Sequence, residues 1–149
     1  MNAVGKKQIR KAFQAIAAHF EHTLDVRQTG MENPNWTDST YISMNIYSDG
    51  QKVMMSLTNV FDKWAAVAVS SLEAIPDGME SYTLQGGKYA VFIHKGPASA
   101  FPKTMQHIFV EWLPKSGFEI DDREHFEVLP EDYGRNDSEA EEEVWIPIK

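Results

Sequence analysis

The sequence predicts an α+β domain: two pseudo-symmetric βαββ units forming one antiparallel sheet, with helices on one face and a ligand cleft on the other. Three observations lead there. Apolar stripes of period three to four run near residues 6–23 and 98–113, period-two alternation fills the segments between and after them, and the strand-helix-strand-strand order recurs in both halves. At 149 residues the chain reads as one domain, 1–149, with a first unit at about 1–75 and a second at about 82–149. A chain of this size buries roughly 68–70% of its unfolded surface, enough for one real core.

Residues 1–4 are read as the remnant of an opening strand. Over 6–23, Ile9, Phe13, Ile16, Ala17 and Phe20 make one helical stripe, and the loop at 25–38, with Gly30, Asn33, Pro34 and Asn35, ends it. Residues 40–47 alternate Ile42, Met44 and Ile46 against Tyr41, Ser43, Asn45 and Tyr47, the signature of a strand. A turn at Ser48-Asp49-Gly50 follows, then a second alternating stretch at 61–71, before Ile75-Pro76-Asp77-Gly78 breaks the chain. In the second half, 88–94 is a strand and 98–113 a helix that presents Phe101, Met105, Ile108, Phe109, Trp112 and Leu113 to one side. Pro114, Ser116 and Gly117 stop that helix, and strands at 126–129 and 143–148 complete the unit. Pro147 lacks a ladder donor, which puts it at a strand end or with its nitrogen facing away from a neighbour.

Composition narrows the function. Fourteen basic against twenty-two acidic side chains give a formal charge of −8, a surface that repels a phosphate backbone, so direct nucleic-acid binding is not expected. The absence of cysteine removes disulfides, thiolate zinc sites and cysteine nucleophiles together, and fits a reducing, cytoplasmic setting. No stretch reaches the roughly 18 apolar residues of a membrane span, and the N-terminal residues lack the apolar run of a signal peptide. His19 and His22 stand three apart on the first stripe without a third ligand, so no metal and no cofactor is expected; His94, His107 and His125 are scattered, and no serine sits in a nucleophile elbow. Gly86-Gly87 and the turn His94-Lys95-Gly96-Pro97 lack phosphate-loop spacing. The acidic run Glu139, Glu141, Glu142, Glu143 reads as a solvated loop, with an acidic patch for a protein partner as the functional alternative.

The strands leave an unusual second face. With Ile42, Met44, Ile46, Val67 and Val69 assigned to the helix side, together with Tyr89, Val91, Ile93, Phe126, Val128, Val144 and Ile146, the opposite side holds Tyr41, Tyr47, Trp64, Phe92, Leu129 and Trp145, with Ala66, Ala68 and Ala90 between them and one carboxylate, Glu127. Flat rings as walls, alanines leaving room and a lone acid suit a hydrophobic, cationic small molecule. Tyr89 and Trp112 are candidates for either core or groove. The alternative is that this face is covered by a second copy of the chain, as a homodimer, or by the chain's own long loops.

The words GGKYAVFIHKGP, EWLPKSGF, FEVL and the closing VWIPIK resemble the C-terminal half of the GyrI-like, or effector-binding, domain family. That resemblance implies a pseudo-twofold sheet with a small-molecule groove where the halves meet, and a ligand-binding glutamate at Glu127. In some members the glutamate is associated with hydrolysis of cyclopropane-bearing toxic compounds, which would make Glu127 catalytic; others resemble gyrase inhibitors, which would make the partner a protein. The expectation is a domain that senses, sequesters or detoxifies a hydrophobic compound. The resemblance is close over the last sixty residues; in the first half the opening strand reads as short or missing and the loop at 25–38 as long.

Overall fold

The computed structural model describes residues 3–9, 14–19, 41–47, 61–69, 72–73, 77, 79–84 and 87–149. Among the described residues eight strands lie in one sheet: β1 (Ala3–Ile9), β2 (Gln14–His19), β3 (Tyr41–Tyr47), β4 (Phe61–Val69), β5 (Glu80–Thr83), β6 (Gly87–Lys95), β7 (His125–Leu129) and β8 (Glu141–Pro147). Their order is β1-β6-β8-β7-β3-β4-β2-β5, and every pairing is antiparallel. The order reads the same from both edges. β6, β8 and β7 on one side of the central β7–β3 seam correspond to β2, β4 and β3 on the other, with β1 flanking β6 and β5 flanking β2. This is the predicted pair of pseudo-symmetric units in one antiparallel sheet.

Between β6 and β7 the chain is helical: a 3-10 turn at Ala98–Ala100, α1 (Phe101–Gln106), a π-helical stretch at His107–Trp112 and α2 (Leu113–Ser116). Two prolines shape it. Pro102 sits in the first turn of α1, where its missing N–H is not needed. Pro114 falls inside the run, where its ring would crowd the carbonyl four residues back; the wider turn accommodates it, and the Leu113 N–H reaches the Ile108 carbonyl five residues away. Gly117, at φ +74°, stops the helix in the left-handed conformation.

The first half differs from the sequence expectation. Residues 6–23 carry no helix where they are described; Ala3–Ile9 and Gln14–His19 are strands. The stretch QAIAAH satisfies a helical stripe and a strand equally, and it pairs with β4 on one side and β5 on the other. Ladder bonds on both edges outweigh helix preferences worth only tenths of a kcal/mol per residue. The opening strand, expected to be short or missing, runs for seven residues. β5 was not anticipated, because ESYT is too short to show a period. The loop at 25–38, like the rest of the stretch between β2 and β3, lies outside the described residues.

Chain reach dictates the sheet's shape. β5 and β6 are six strand spacings apart in the order, about 29 Å across a flat sheet, yet only residues 84–86 join them, a reach of about 14 Å from Thr83 to Gly87. Ile9 and Gln14 face the same mismatch between β1 and β2. The sheet must therefore curl until its edges approach. Contacts agree: Leu84 is buried in one cluster with Met44, Tyr89, Val91 and Phe126, and the Tyr82 hydroxyl of β5 donates to Glu124, just before β7.

Directly opposed residues in antiparallel strands share a face, so the registers divide the side chains cleanly. Outside the curl, Ala90, Phe92, Val144, Ile146 and Ile148 pack with Ile108 under the helical run, against Phe101, Met105, Phe109 and Trp112. Inside it lie Ile42, Met44, Ala66, Tyr89, Val91 and Phe126, with Trp64, Val128 and Trp145. This corrects the sequence-based sides for three strands: Ile42, Met44, Ile46, Tyr89, Val91, Ile93, Phe126 and Val128 turn away from the helix, while Tyr41, Tyr47, Ala90, Phe92, Glu127 and Leu129 turn toward it. β3, β6 and β7 are apolar on both faces, so alternation shows that two faces exist without saying which one meets the helix.

Phe92 is fully buried, and its ring meets Trp112 edge-on at 4.9 Å. Phe92→Ala is expected to lower stability by about 3–5 kcal/mol in urea melts with an unchanged denaturant slope. A change below 1 kcal/mol would contradict its place under the helix.

Candidate functional site

The inside of the curl is organised in rows across five strands. One row runs Ile93, Glu143, Val128, Ile42, Ala66 from β6 to β4; the next runs Val91, Trp145, Phe126, Met44, Trp64. The second row is packed shut. Its Phe126 and Trp145 rings stack at 5.2 Å, and both meet Tyr89 behind them, at 5.4 and 5.7 Å. The first row, built from smaller side chains, is hollow. A cavity of about 700 Å³ opens there, with Ile42, Val128 and Ile93 on its floor, Phe126 and Trp145 as its inner wall, and Ala68 and Pro130 at its sides. Drug-sized ligands occupy clefts of about 300–1,000 Å³ lined in this way.

The acid inside this space is Glu143. It shares its row with Ile93 and Val128, and its carboxylate accepts the indole N–H of Trp145 at 2.9 Å. Glu141 and Glu142 lie beside it at the rim. The opening is therefore acidic, relieved at its outer edge by Lys95, which pairs with Glu139 at 2.8 Å and Glu141 at 3.8 Å. Gly96, at φ +119°, turns the chain out of β6, and its N–H bonds the Ala140 carbonyl at 2.9 Å, tying this turn to the start of β8.

Glu127 lies on the other side of the floor. Its row is Phe92, Val144, Glu127, Ser43, Ala65, on the helix-bearing face. It is 8% exposed and pairs with Lys63 Nζ at 3.5 Å, while the same ammonium donates to Asn45 at 2.9 Å. Glu142 belongs to this face too, opposite His94, and Tyr133 donates to it at 3.5 Å. Burial first, and then the Glu127 charge, push the Glu142 carboxyl up to about 7. Burial, and secondarily the Glu127 charge, raise the Tyr47 phenol. His125, two residues before Glu127, is held down to about 4 by burial and then by Arg123. Its ring touches Tyr47 at 5.3 Å and Phe109 at 6.5 Å.

Of the residues expected to bind ligand, Trp145 lines the cavity, and Tyr89 and Trp64 sit deeper in the same interior. Tyr41, Tyr47, Phe92 and Glu127 face the helix side. Tyr41 packs with Val67 and Val69, and Trp112 packs from the helical run onto Phe92 and Phe118. Sequence reasoning passed over Glu143 by assigning it to a solvated acidic loop. The signal was present: Glu143 is in phase with Trp145 and two residues from it. Among the described residues, no group of three or more histidine and carboxylate side chains stands close enough to hold a metal ion, and no helix is long and apolar enough to cross a membrane.

Comparison with known proteins agrees with this architecture. The chain is 32% identical over 75 residues to the transcriptional regulator BrlR of Pseudomonas aeruginosa, a match covering 50% of this chain and 28% of that protein's length. The fold is similar to the C-terminal domain of EcmrR, with TM-score 0.71 and 14% identity over 97% of this chain and 96% of that one. It is also similar to SAV2435 bound to tetraphenylphosphonium, with TM-score 0.67 and 15% identity over 100% of this chain and 94% of that one. The sequence pattern of the GyrI-like small molecule binding domain matches residues 2–149, nearly the whole chain. The fold is thus shared with these structures, and by that match over nearly its whole length the chain belongs to the GyrI-like small-molecule-binding domain family.

Proposed function

We propose that this domain binds hydrophobic aromatic cations in the cavity inside the curl, to sense, sequester or detoxify them. The observation that carries this reading is a 700 Å³ apolar space whose inner wall is the Phe126–Trp145 stack and whose floor bears the Glu143 carboxylate. Ring faces attract a cation by about 0.5–2 kcal/mol each, and a half-buried carboxylate adds a full opposite charge. The tetraphenylphosphonium held by SAV2435, a bulky cation sheathed in rings, supports the ligand class.

Glu127 acts from behind the floor in this reading. It faces away from the cavity, holds Lys63, and biases the rim through Glu142, whose proton it helps to retain. The direct alternative, Glu127 as the ligand's own countercharge, would move the site to the helix side of the sheet. Titration with tetraphenylphosphonium, followed by tryptophan fluorescence, separates the two. Saturable quenching is expected in the wild type, with at least tenfold weaker binding in Glu143→Gln and Trp145→Ala, a loss of about 1.4 kcal/mol or more. Glu127→Gln should change affinity by less than about threefold. A large loss on Glu127→Gln with none on Glu143→Gln would transfer the role to Glu127.

The two shifted groups act on stability with opposite signs. Glu142, raised from its ordinary 4.5 to about 7, keeps a proton in the folded state that the unfolded chain has released. Its contribution is fully present below about pH 4.5 and is lost as pH rises through 7. His125, lowered from 6.5 to about 4, stays neutral while the unfolded chain takes up a proton, so its contribution is lost as pH falls from 6.5 through 4. The slopes offset one another in the wild type. Glu142→Gln removes the first and leaves the second, so urea melts of that variant should lose up to about 3 kcal/mol between pH 6.5 and 4, a steeper decline than the wild type shows. Parallel pH profiles for the two proteins would contradict the assignment.

A further inference from the structure

Beyond the packed second row, the interior closes on a group of polar side chains that the cavity does not use. Tyr89 is fully buried, and the Arg123 guanidinium stacks over its ring with Cζ 4.5 Å from the centroid. Arg123 gives Nε to Asp121 at 2.7 Å and Nη2 to the carbonyls of Lys88 at 2.8 Å and Ile148 at 3.4 Å. Its Nη1 is buried without a partner. Glu124, 8% exposed, accepts the Tyr82 hydroxyl on one carboxylate oxygen, and its other oxygen, Oε2, is buried and unpaired. The Tyr89 hydroxyl has no partner at hydrogen-bond distance either, although the Arg123 guanidinium stands near enough to work against the upward push of burial on its phenol. One donor, one acceptor and one hydroxyl thus stand desolvated in the same corner, where native proteins leave few such groups.

We propose that Tyr82, Tyr89, Arg123 and Glu124 form a latched second subsite of the ligand-binding interior, which takes a neutral group carrying both a hydrogen-bond donor and an acceptor, a primary carboxamide above all. This rests on the reading of the interior as the ligand site. The chemistry selects against ions of either sign: an anion meets the Glu124 carboxylate and a cation the Arg123 guanidinium. A carboxamide offers its carbonyl to Arg123 Nη1 and its N–H to Glu124 Oε2, and its second lone pair or N–H remains for Tyr89. Burial keeps both phenols protonated, with Tyr89 pushed up to about 12 and Tyr82 raised further by its bond to Glu124.

The latch is Tyr82. It belongs to β5, a four-residue edge strand whose described pairing is to β2 alone, and its hydroxyl closes over Glu124 from across the curl. Edge segments with few ladder bonds open most readily. Displacing Tyr82 exposes the Glu124 carboxylate beside the two orphaned donors, so ligand hydrogen bonds replace one latch bond and satisfy three unpaired atoms.

The test compares benzyltriphenylphosphonium with its 4-carbamoyl derivative on the whole chain by tryptophan fluorescence, and follows benzamide alone by the shift in thermal midpoint. The carbamoyl compound is expected to bind at least about fivefold more tightly than its parent, and this ratio should fall to about one in Tyr89→Phe and in Glu124→Gln. Millimolar benzamide is expected to raise the midpoint of the wild type and not that of Tyr89→Phe. A ratio of one in the wild type, or a ratio preserved in both variants, overturns the subsite while leaving the cation cavity intact. If neither phosphonium binds, the cavity reading fails and benzamide decides: a Tyr89-dependent shift upholds the subsite, and no shift overturns it.

Discussion

The constraint from which the rest of the structure follows is the short reach of two connections. Residues 84–86 and 10–13 each join strands that stand six places apart in the sheet, and neither is long enough to cross a flat one. Curling is forced, and curling gives the sheet two unlike surfaces. The outer one is convex and is sealed by the helical run over Phe92, Val144 and Ile146. The inner one is concave, and whether it is filled depends on side-chain volume row by row. Large rings close the middle row; Ile, Val and Ala leave the next one open.

Parity then decides which chemistry reaches the hollow. Along β8, Glu143 and Trp145 point inward while Glu142 and Val144 point outward. Along β7 the inward residues are Phe126 and Val128, so Glu127 is committed to the outer face. A single residue of register separates an acid within the cavity from one beneath the helix. Glu142 shares the Glu127 face, which lets the Glu127 charge influence this rim acid without entering the cavity.

Much of the second half was legible because its signals agree. GKYAVFIHK alternates, the stripe from Phe101 to Trp112 has helical spacing, and Pro114 and Gly117 punctuate its end. The first half was harder because QAIAAH satisfies two periods at once, and only its partners β4 and β5 decide between them. Facing direction was illegible for β3, β6 and β7, whose two faces are both apolar, and that ambiguity carried Glu127 to the wrong side of the sheet. Glu143 could have been found from its phase with Trp145; the neighbouring acidic residues masked it. The polar corner had no signal in sequence, since Tyr82, Tyr89 and Arg123-Glu124 meet only when β5 folds back across the interior.

The seam between β7 and β3 has one more consequence. The cavity straddles it, and the two units furnish different things: the second brings the rings and the acids, Phe126, Trp145 and Glu143, while the first brings Ile42 and the small Ala68. Capacity and chemistry are thereby encoded in separate stretches of the gene. Exchanging Ala68 for a bulkier neighbour alters how large a guest is admitted without disturbing what attracts it, so a lineage of such domains can drift across ligand sizes while its electrostatic taste stays fixed.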